Sequence, residues 1–260
     1  MLWKIDGTPH RVLASVHALP ADTYFPPWTN GCLRGVERIV FEADHHIPGA
    51  FASGIDSTRS HLSLPGASEL YLRVGEYFSR NGIQLPLESY RPWFAALQIS
   101  GPIMATLGLK MEFGVEEVLR ALASQNSLSV AFLEEPTLIA DLLNQACSDP
   151  AVGLRFLSGT LEESNAGFSL EGLRGIVAAW LAGELTYMEA VHQDRIDKYR
   201  EIYSPLITSR NRHWVPVAKA MITEAVPTLF VVGALHTVGP DSFLELLKEQ
   251  GIATTRGVSS

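Results

Sequence analysis

A chain of 260 residues, 47% hydrophobic and 18% charged, carries enough apolar material for a sizeable core, so one large domain, or one domain with a substantial insertion, is expected. With 28 acidic against 20 basic side chains the net charge is −8, which excludes a nucleic-acid partner as a working reading, and no lysine or arginine run offers an anchor to a membrane surface. Cys32 and Cys147 form no C-x-x-C and are expected as buried free thiols rather than as a zinc knuckle or redox pair.

In chain order, MLWKIDGTPH has no positive segment leading into an apolar one, so no signal peptide is expected. A cytoplasmic location is the default, and an exported protein whose leader had been removed would read the same way. LWKID and HRVLASV flank Gly7-Thr8-Pro9 and predict a hairpin. PPWTNGCLRGV, residues 26–36, suggests a short helix with prolines near its start. ERIVFEAD, residues 37–44, is an apolar strand ending in acids. Residues 45–65 lack a period and are rich in Ser, Gly and Pro, a loop long enough to be mobile or functional. Helical spacing marks 66–82, capped by Gly82, and 87–99 opens another helix. The uncharged stretch 92–109 reads as a buried or half-buried helix interrupted near Gly101-Pro102, because a membrane span needs about 20 mostly apolar residues.

Further on, 114–126 is a helix and LSVAFLEE, residues 128–135, a short strand again ending in acids. A helix led by Pro136 covers 136–148. Two or three more follow, including 170–191, and a long one covers 204–224. The chain closes with strand TLFVV, helix PDSFLELLKEQG and a short strand IATTRG. Strands at both ends and near residue 130, with helices between, predict an α/β fold: a central sheet in a single 1–260 domain with a mostly helical insertion at about 66–225.

Two strands end alike, in Ala14-Ser15-Val16-His17 and Gly233-Ala234-Leu235-His236, and a third ends in Glu42 and Asp44. In open α/β sheets ligands gather at the carboxyl ends of strands. Were these three strands neighbours, two imidazoles and a carboxylate would converge, a common ligand set for a catalytic divalent metal. A single such histidine is more often a surface or satisfied residue, and it is the repetition that points to a site. His45 and His46 read as an exposed loop pair rather than as added ligands. RNRHW places Arg210, Asn211 and His213 on an otherwise apolar helix. Arg210 could clamp a substrate carbonyl or carboxylate, but periodicity alone favours pairing with an acid on the helix surface. The tryptophans of PW (92–93) and AAWLAGE read as core. No G-x-S-x-G, H-E-x-x-H, P-loop or G-x-G-x-x-G occurs, which removes support from the usual serine hydrolases, zincins, P-loop ATPases and Rossmann dehydrogenases.

The ordered set LWKIDGTPHRVLASVHALP, IVFEAD, LESYRPWFAALQI, FGVEEVLRALA, VAFLEEPTLIADLL, VAAWLAGELTYM, ITSRNRHWVPVAKAMI and TLFVVGALHTVGPDSFLELLKEQG resembles the TraB/GumN family, which includes the Tiki proteins, over nearly the whole chain. The resemblance implies an α/β fold related to the erythromycin-esterase and ChaN-like proteins. It also implies one site built from two G-x-x-H histidines and a strand-end glutamate, here His17, His236 and Glu42, with Arg210 and Asn211 nearby. Tiki members are regarded as metal-dependent proteases. The implied activity is therefore a metal-dependent hydrolase of a peptide or small molecule, with His17, Glu42 and His236 on a divalent ion such as Mn, Co or Zn, and with Glu42, Arg210 and Asn211 in catalysis. The alternatives are a haem- or metal-binding module and a partner-binding protein without hydrolytic activity. The first motif has Ala14 where the family has Gly, and Ser15 where Thr is usual. A positive φ there would strain alanine.

Overall fold

A computed structural model describes residues 1–224 and 226–257. The elements are β1 (Leu2–Ile5), β2 (Arg11–Ser15), β3 (Leu19–Pro20), β4 (Arg38–Phe41), α1 (Ala67–Arg80), α2 (Pro92–Gln98), α3 (Ser100–Thr106), β5 (Leu109–Lys110), α4 (Val115–Gln125), β6 (Ser129–Phe132), α5 (Leu138–Ala146), α6 (Pro150–Asn165), α7 (Phe168–Ala182), α8 (Thr186–Ser204), α9 (Arg210–Thr223), β7 (Thr228–Gly233), α10 (Phe243–Glu249) and β8 (Thr254–Arg256).

Six strands form one mixed sheet in the order β6-β4-β7-β2-β1-β8, and β3 and β5 form a two-stranded sheet. The hairpin strand β1 runs against both β2 and β8, whereas β2, β7, β4 and β6 are parallel neighbours. Parallel strands covered on both faces need continuous apolar runs, and TLFVVG of β7 is buried at every residue. β6, at the sheet's edge, is exposed at Ser129 and Val130. The main core lies about this sheet. It includes Trp180 of α7, wholly buried, whose indole N–H donates to the Ala14 carbonyl at 2.9 Å. Smaller clusters, one around Val74, Phe78, Ile99 and Leu161 and one around Trp93, Leu143 and Ile202, hold the helices together.

The α/β expectation is met, with local differences. The helix expected at 26–36 is a single 3-10 turn, Pro27–Thr29, because Gly31 and Gly35 sit at φ +76° and +69° and break the run. The continuous helix expected at 170–191 is split into α7 and α8 by Gly183 at φ +70°. The interruption expected near Gly101-Pro102 falls at Ile99, which leaves Pro102 in the first turn of α3, where its missing N–H costs nothing. The expected 204–224 helix opens as a π-helical turn, Pro205–Ser209, before α9 begins. The 45–65 loop is organised by Asp56, which accepts from Thr58 N–H at 3.0 Å, Thr58 Oγ1 at 2.5 Å and Ser60 Oγ at 2.9 Å. Both cysteines are free, Cys32 buried and Cys147 half-buried. Among the described residues no helix is long and apolar enough to cross a membrane.

Candidate functional site

The parallel register sets the site. Ser15 of β2 lies opposite Gly233 of β7, and Phe41 of β4 opposite Phe132 of β6, so the carboxyl ends of all four strands share one edge. The next residues along that edge include Glu134, Glu42, His236 and His17, one from each strand. The N–H groups of Leu133 and Glu134 both donate to the Glu42 carbonyl, at 3.0 and 2.9 Å, which carries the ladder past β4 and seats the two glutamates side by side.

Glu42 is 4% exposed. Its Oε1 accepts the Gly233 N–H at 2.6 Å and its Oε2 accepts Arg210 Nη2 at 2.5 Å. Arg210, 5% exposed at the start of α9, also donates through Nε to both Glu134 oxygens at 3.0 Å and through Nη2 to Glu134 Oε1 at 2.8 Å. One planar fork thus bridges two buried carboxylates, a geometry an ammonium does not offer. Trp214, one helical turn on, donates its indole N–H to Glu134 Oε2 at 2.6 Å and lies under the guanidinium, 4.6 Å from ring centre to Cζ. The surface pairing that periodicity favoured for Arg210 is overturned: the side chain points inward, because the turn that starts α9 faces the sheet edge with Arg210, Asn211 and Trp214, while Arg212 and His213 face out.

His236, 4% exposed, packs on Trp214 with ring centres 4.4 Å apart. Its Nδ1 lies 2.7 Å from Asn211 Oδ1, and Asn211 Nδ2 donates to the Asp241 carbonyl at 2.8 Å. That second bond fixes the amide's orientation, so Nδ1 of His236 is the donor and Nε2 presents a lone pair, which accepts from Arg210 Nη1 at 3.2 Å and stands 3.8 Å from Glu42 Oε1. Asn211 is wholly buried, and its amide joins His236 to the Asp241 carbonyl. His17 keeps 51% of its side-chain surface, and its Nδ1 lies 2.8 Å from Glu116 Oε1. A Cβ added at Gly233 would meet Glu42 Oε1 at 3.2 Å, His236 Cδ2 at 3.5 Å and His17 Nε2 at 3.7 Å, so the three predicted groups ring one point. Gly233 sits at φ −54°, and what it provides is close approach rather than an unusual conformation. Ala14 lies within β2, outside the positive-φ residues, and is unstrained. His45 approaches His17 edge-on, with ring centres 6.3 Å apart, and exposed His46 bonds Glu117.

The charges follow from these contacts. Burial alone would raise the Glu42 carboxyl, but Arg210 foremost outweighs it and holds the group below the usual carboxylate range. Burial drives His236 down to about 3, so the ring is neutral at ordinary pH. Glu116 raises His17 to about 9. Burial pushes Glu134 up, against Arg210 and the Trp214 N–H, and the geometric partners of its oxygens are all donors, as suits a carboxylate. Glu42 and Glu134 against Arg210 leave a buried surplus of one negative charge, which faces the His17–Glu116 pair.

Sequence reasoning passed over three of these residues. Glu134 ends a strand in acids just as Glu42 does, and Trp214 stands within RNRHW, so both carried a signal. Glu116 lies in an ordinary helix first turn and carried none.

The class defined by this geometry is an α/β protein with a polar cluster at the carboxyl edge of its parallel strands. The chain belongs to the TraB/PrgY/gumN family, whose model matches residues 1–256. No curated protein and no solved structure matches it.

Proposed function

We propose that this chain is a metal-dependent hydrolase acting on a peptide or another small amide- or ester-bearing substrate, with His17, Glu42 and His236 as metal ligands. The observation that carries the reading is the convergence of two imidazoles and a buried carboxylate on one point beside Gly233. Among the described residues no three His, Cys, Asp or Glu side chains are set to hold an ion as they stand. The fit is one of donor type and charge. Both rings have Nδ1 tied to an acceptor, the arrangement that leaves Nε2 free to ligate, and the surplus buried negative charge suits a cation. A cation on His236 Nε2 would take the place of its hydrogen bond from Arg210, which would keep Glu134.

A bound divalent ion would supply Lewis acidity and a water of lowered pKa. The protein's own groups account for the rest. Glu42, ionised through its pairing with Arg210, serves as ligand or accepts a proton from the attacking water. Arg210, its other N–H groups held by Glu42, Glu134 and the Leu206 carbonyl, would turn the one Nη1–H released from His236 to the oxygen on which charge develops. Asn211 holds His236 in one tautomer, and Trp214 with Glu134 holds Arg210 in place. The deciding experiment is metal analysis of protein purified without chelator, followed by turnover of a peptide and ester library by wild type, His236→Ala and Glu42→Gln with Mn, Co or Zn. Metal uptake with turnover that both variants lose is the expected result. Uptake without turnover would leave a metal- or cofactor-binding module, and no uptake of any of the three would remove the reading.

A further inference from the structure

The helix that follows β5 is pressed against the His17 corner. Gly114, the residue before α4, is so close that a Cβ there would collide with the His17 carbonyl oxygen. The next residue, Val115, donates its N–H to the Val16 carbonyl at 3.1 Å. The third, Glu116, has a side chain 12% exposed and reaches back to the same corner, where its Oε1 lies 2.8 Å from His17 Nδ1 and accepts Ser15 Oγ–H at 2.5 Å. One turn later Arg120 lies over the rings of Phe41 and Phe132, 5.2 and 5.6 Å from their centres, and 3.4 Å from Asp44 Oδ1. A single helix therefore braces the ends of β2, β4 and β6.

An acid in a helix's first turn is favourable against the macrodipole whatever else it does. Glu117 fills that role as well and points away to exposed His46. What distinguishes Glu116 is its pair of partners. A carboxylate held by a serine hydroxyl has no proton to give, so His17 Nδ1 must be the donor, and Nε2 is turned toward Gly233 and Glu42. We infer that Glu116, steadied by Ser15, is a positioning residue that sets the tautomer and ring orientation of His17. It is the counterpart on the exposed side of the site to Asn211 on the buried side. The hydrogen bond stands whatever the chain catalyses, and its effect on metal affinity rests on the hydrolase reading.

The test uses the full chain and two readouts. Long-range proton–nitrogen spectra of the imidazoles, recorded above the pH at which His17 deprotonates, report its tautomer directly. The wild type is expected to show the Nδ1–H form, Glu116→Gln to keep it because an amide oxygen still accepts, Glu116→Ala to lose it, and Glu117→Ala to leave it unchanged. Titration with cobalt alone is expected to show affinity weakened about 10–100-fold in Glu116→Ala, the range for loss of an outer-shell partner, with recovery toward wild type in Glu116→Gln and no change in Glu117→Ala. An Nε2–H tautomer in the wild type would overturn the inference even if Glu116→Ala failed to fold, as would a Glu116→Ala protein that retained both the Nδ1–H form and its cobalt affinity. A tautomer change in a protein that binds no cobalt would sink the metal reading and leave the positioning role in place.

Discussion

Replacing Arg210 with leucine, which is apolar and cannot bridge two acids, separates the electrostatics of the site from its packing. Arg210 holds Glu42 and Glu134 together through one fork, and all three side chains are at least nine-tenths buried. Without it, two buried carboxylates face each other with only the Gly233 and Trp214 N–H groups left as hydrogen-bond donors to them. Removing one partner of a buried pair costs about 3–5 kcal/mol, a large share of a typical total of about 5–15 kcal/mol. The loss should depend on pH in a defined direction. In the wild type, Glu42 has a folded pKa below its unfolded value, so its contribution is present above the unfolded pKa and lost as pH falls through the folded one. In Arg210→Leu burial is opposed only by the Gly233 N–H and the neighbouring histidines and the folded pKa rises, so the variant's penalty is present at neutral pH and relieved as pH falls through that raised value. The stability gap between the two proteins should therefore be widest near neutrality and narrow toward the ordinary glutamate range of about pH 4.3. Urea unfolding with chelator present, at neutral pH and in mild acid, measures the gap. Adding Glu134→Gln to the variant should recover part of the loss. A neutral-pH loss under about 1 kcal/mol, the scale of an exposed pair, or a gap that stays constant in acid, would refute the reasoning.

Gly233→Ala should fold, since φ is ordinary there, at a cost of about 1–3 kcal/mol for overpacking. Cobalt affinity should drop at least tenfold, because the new methyl stands among Glu42, His236 and His17; an unchanged affinity would place the ion elsewhere. Gly114→Ala should be the more destabilising of the two glycine changes, because its Cβ meets backbone rather than side chains, and thermal melts of the pair would show the order. Metal uptake near neutral pH should release about one proton per ion, since ligands must be deprotonated to bind. His17, raised to about 9, would supply that proton, whereas His236 and Glu42 are already bare. Calorimetry in buffers of differing ionisation enthalpy counts it, and zero release would argue against His17 as a ligand.

What could be read from the chain was whatever depended on local pattern. The apolar runs of β2, β4, β6 and β7, the acids at two strand ends and the repeated small-x-x-His corner were all legible, because strand alternation and turn residues act over a few positions. The partnerships were not. Arg210 looked like a surface residue by periodicity because the counter-charges that bury it, Glu42 and Glu134, lie 168 and 76 residues away. Glu116 looked like a helix-start acid because its bonds to Ser15 and His17 cross about 100 residues. The split at Gly183 was missed because glycine within an apolar helical pattern is tolerated often enough that only the packed structure decides.

Glu134 arises from β6, the outermost strand on its side of the sheet, paired on one flank only and exposed along its first half. Local openings in proteins begin where few contacts hold a segment. Fraying of this one strand would pull away the acid that anchors Nε of Arg210 and the acceptor of the Trp214 indole, while β2 and β7, which precede the histidines, stayed paired. The guanidinium would then be left with Glu42, His236 and the Leu206 carbonyl. The site's geometry is thus only as persistent as its least protected strand, and the chain could relax its hold on Arg210 without unfolding its core.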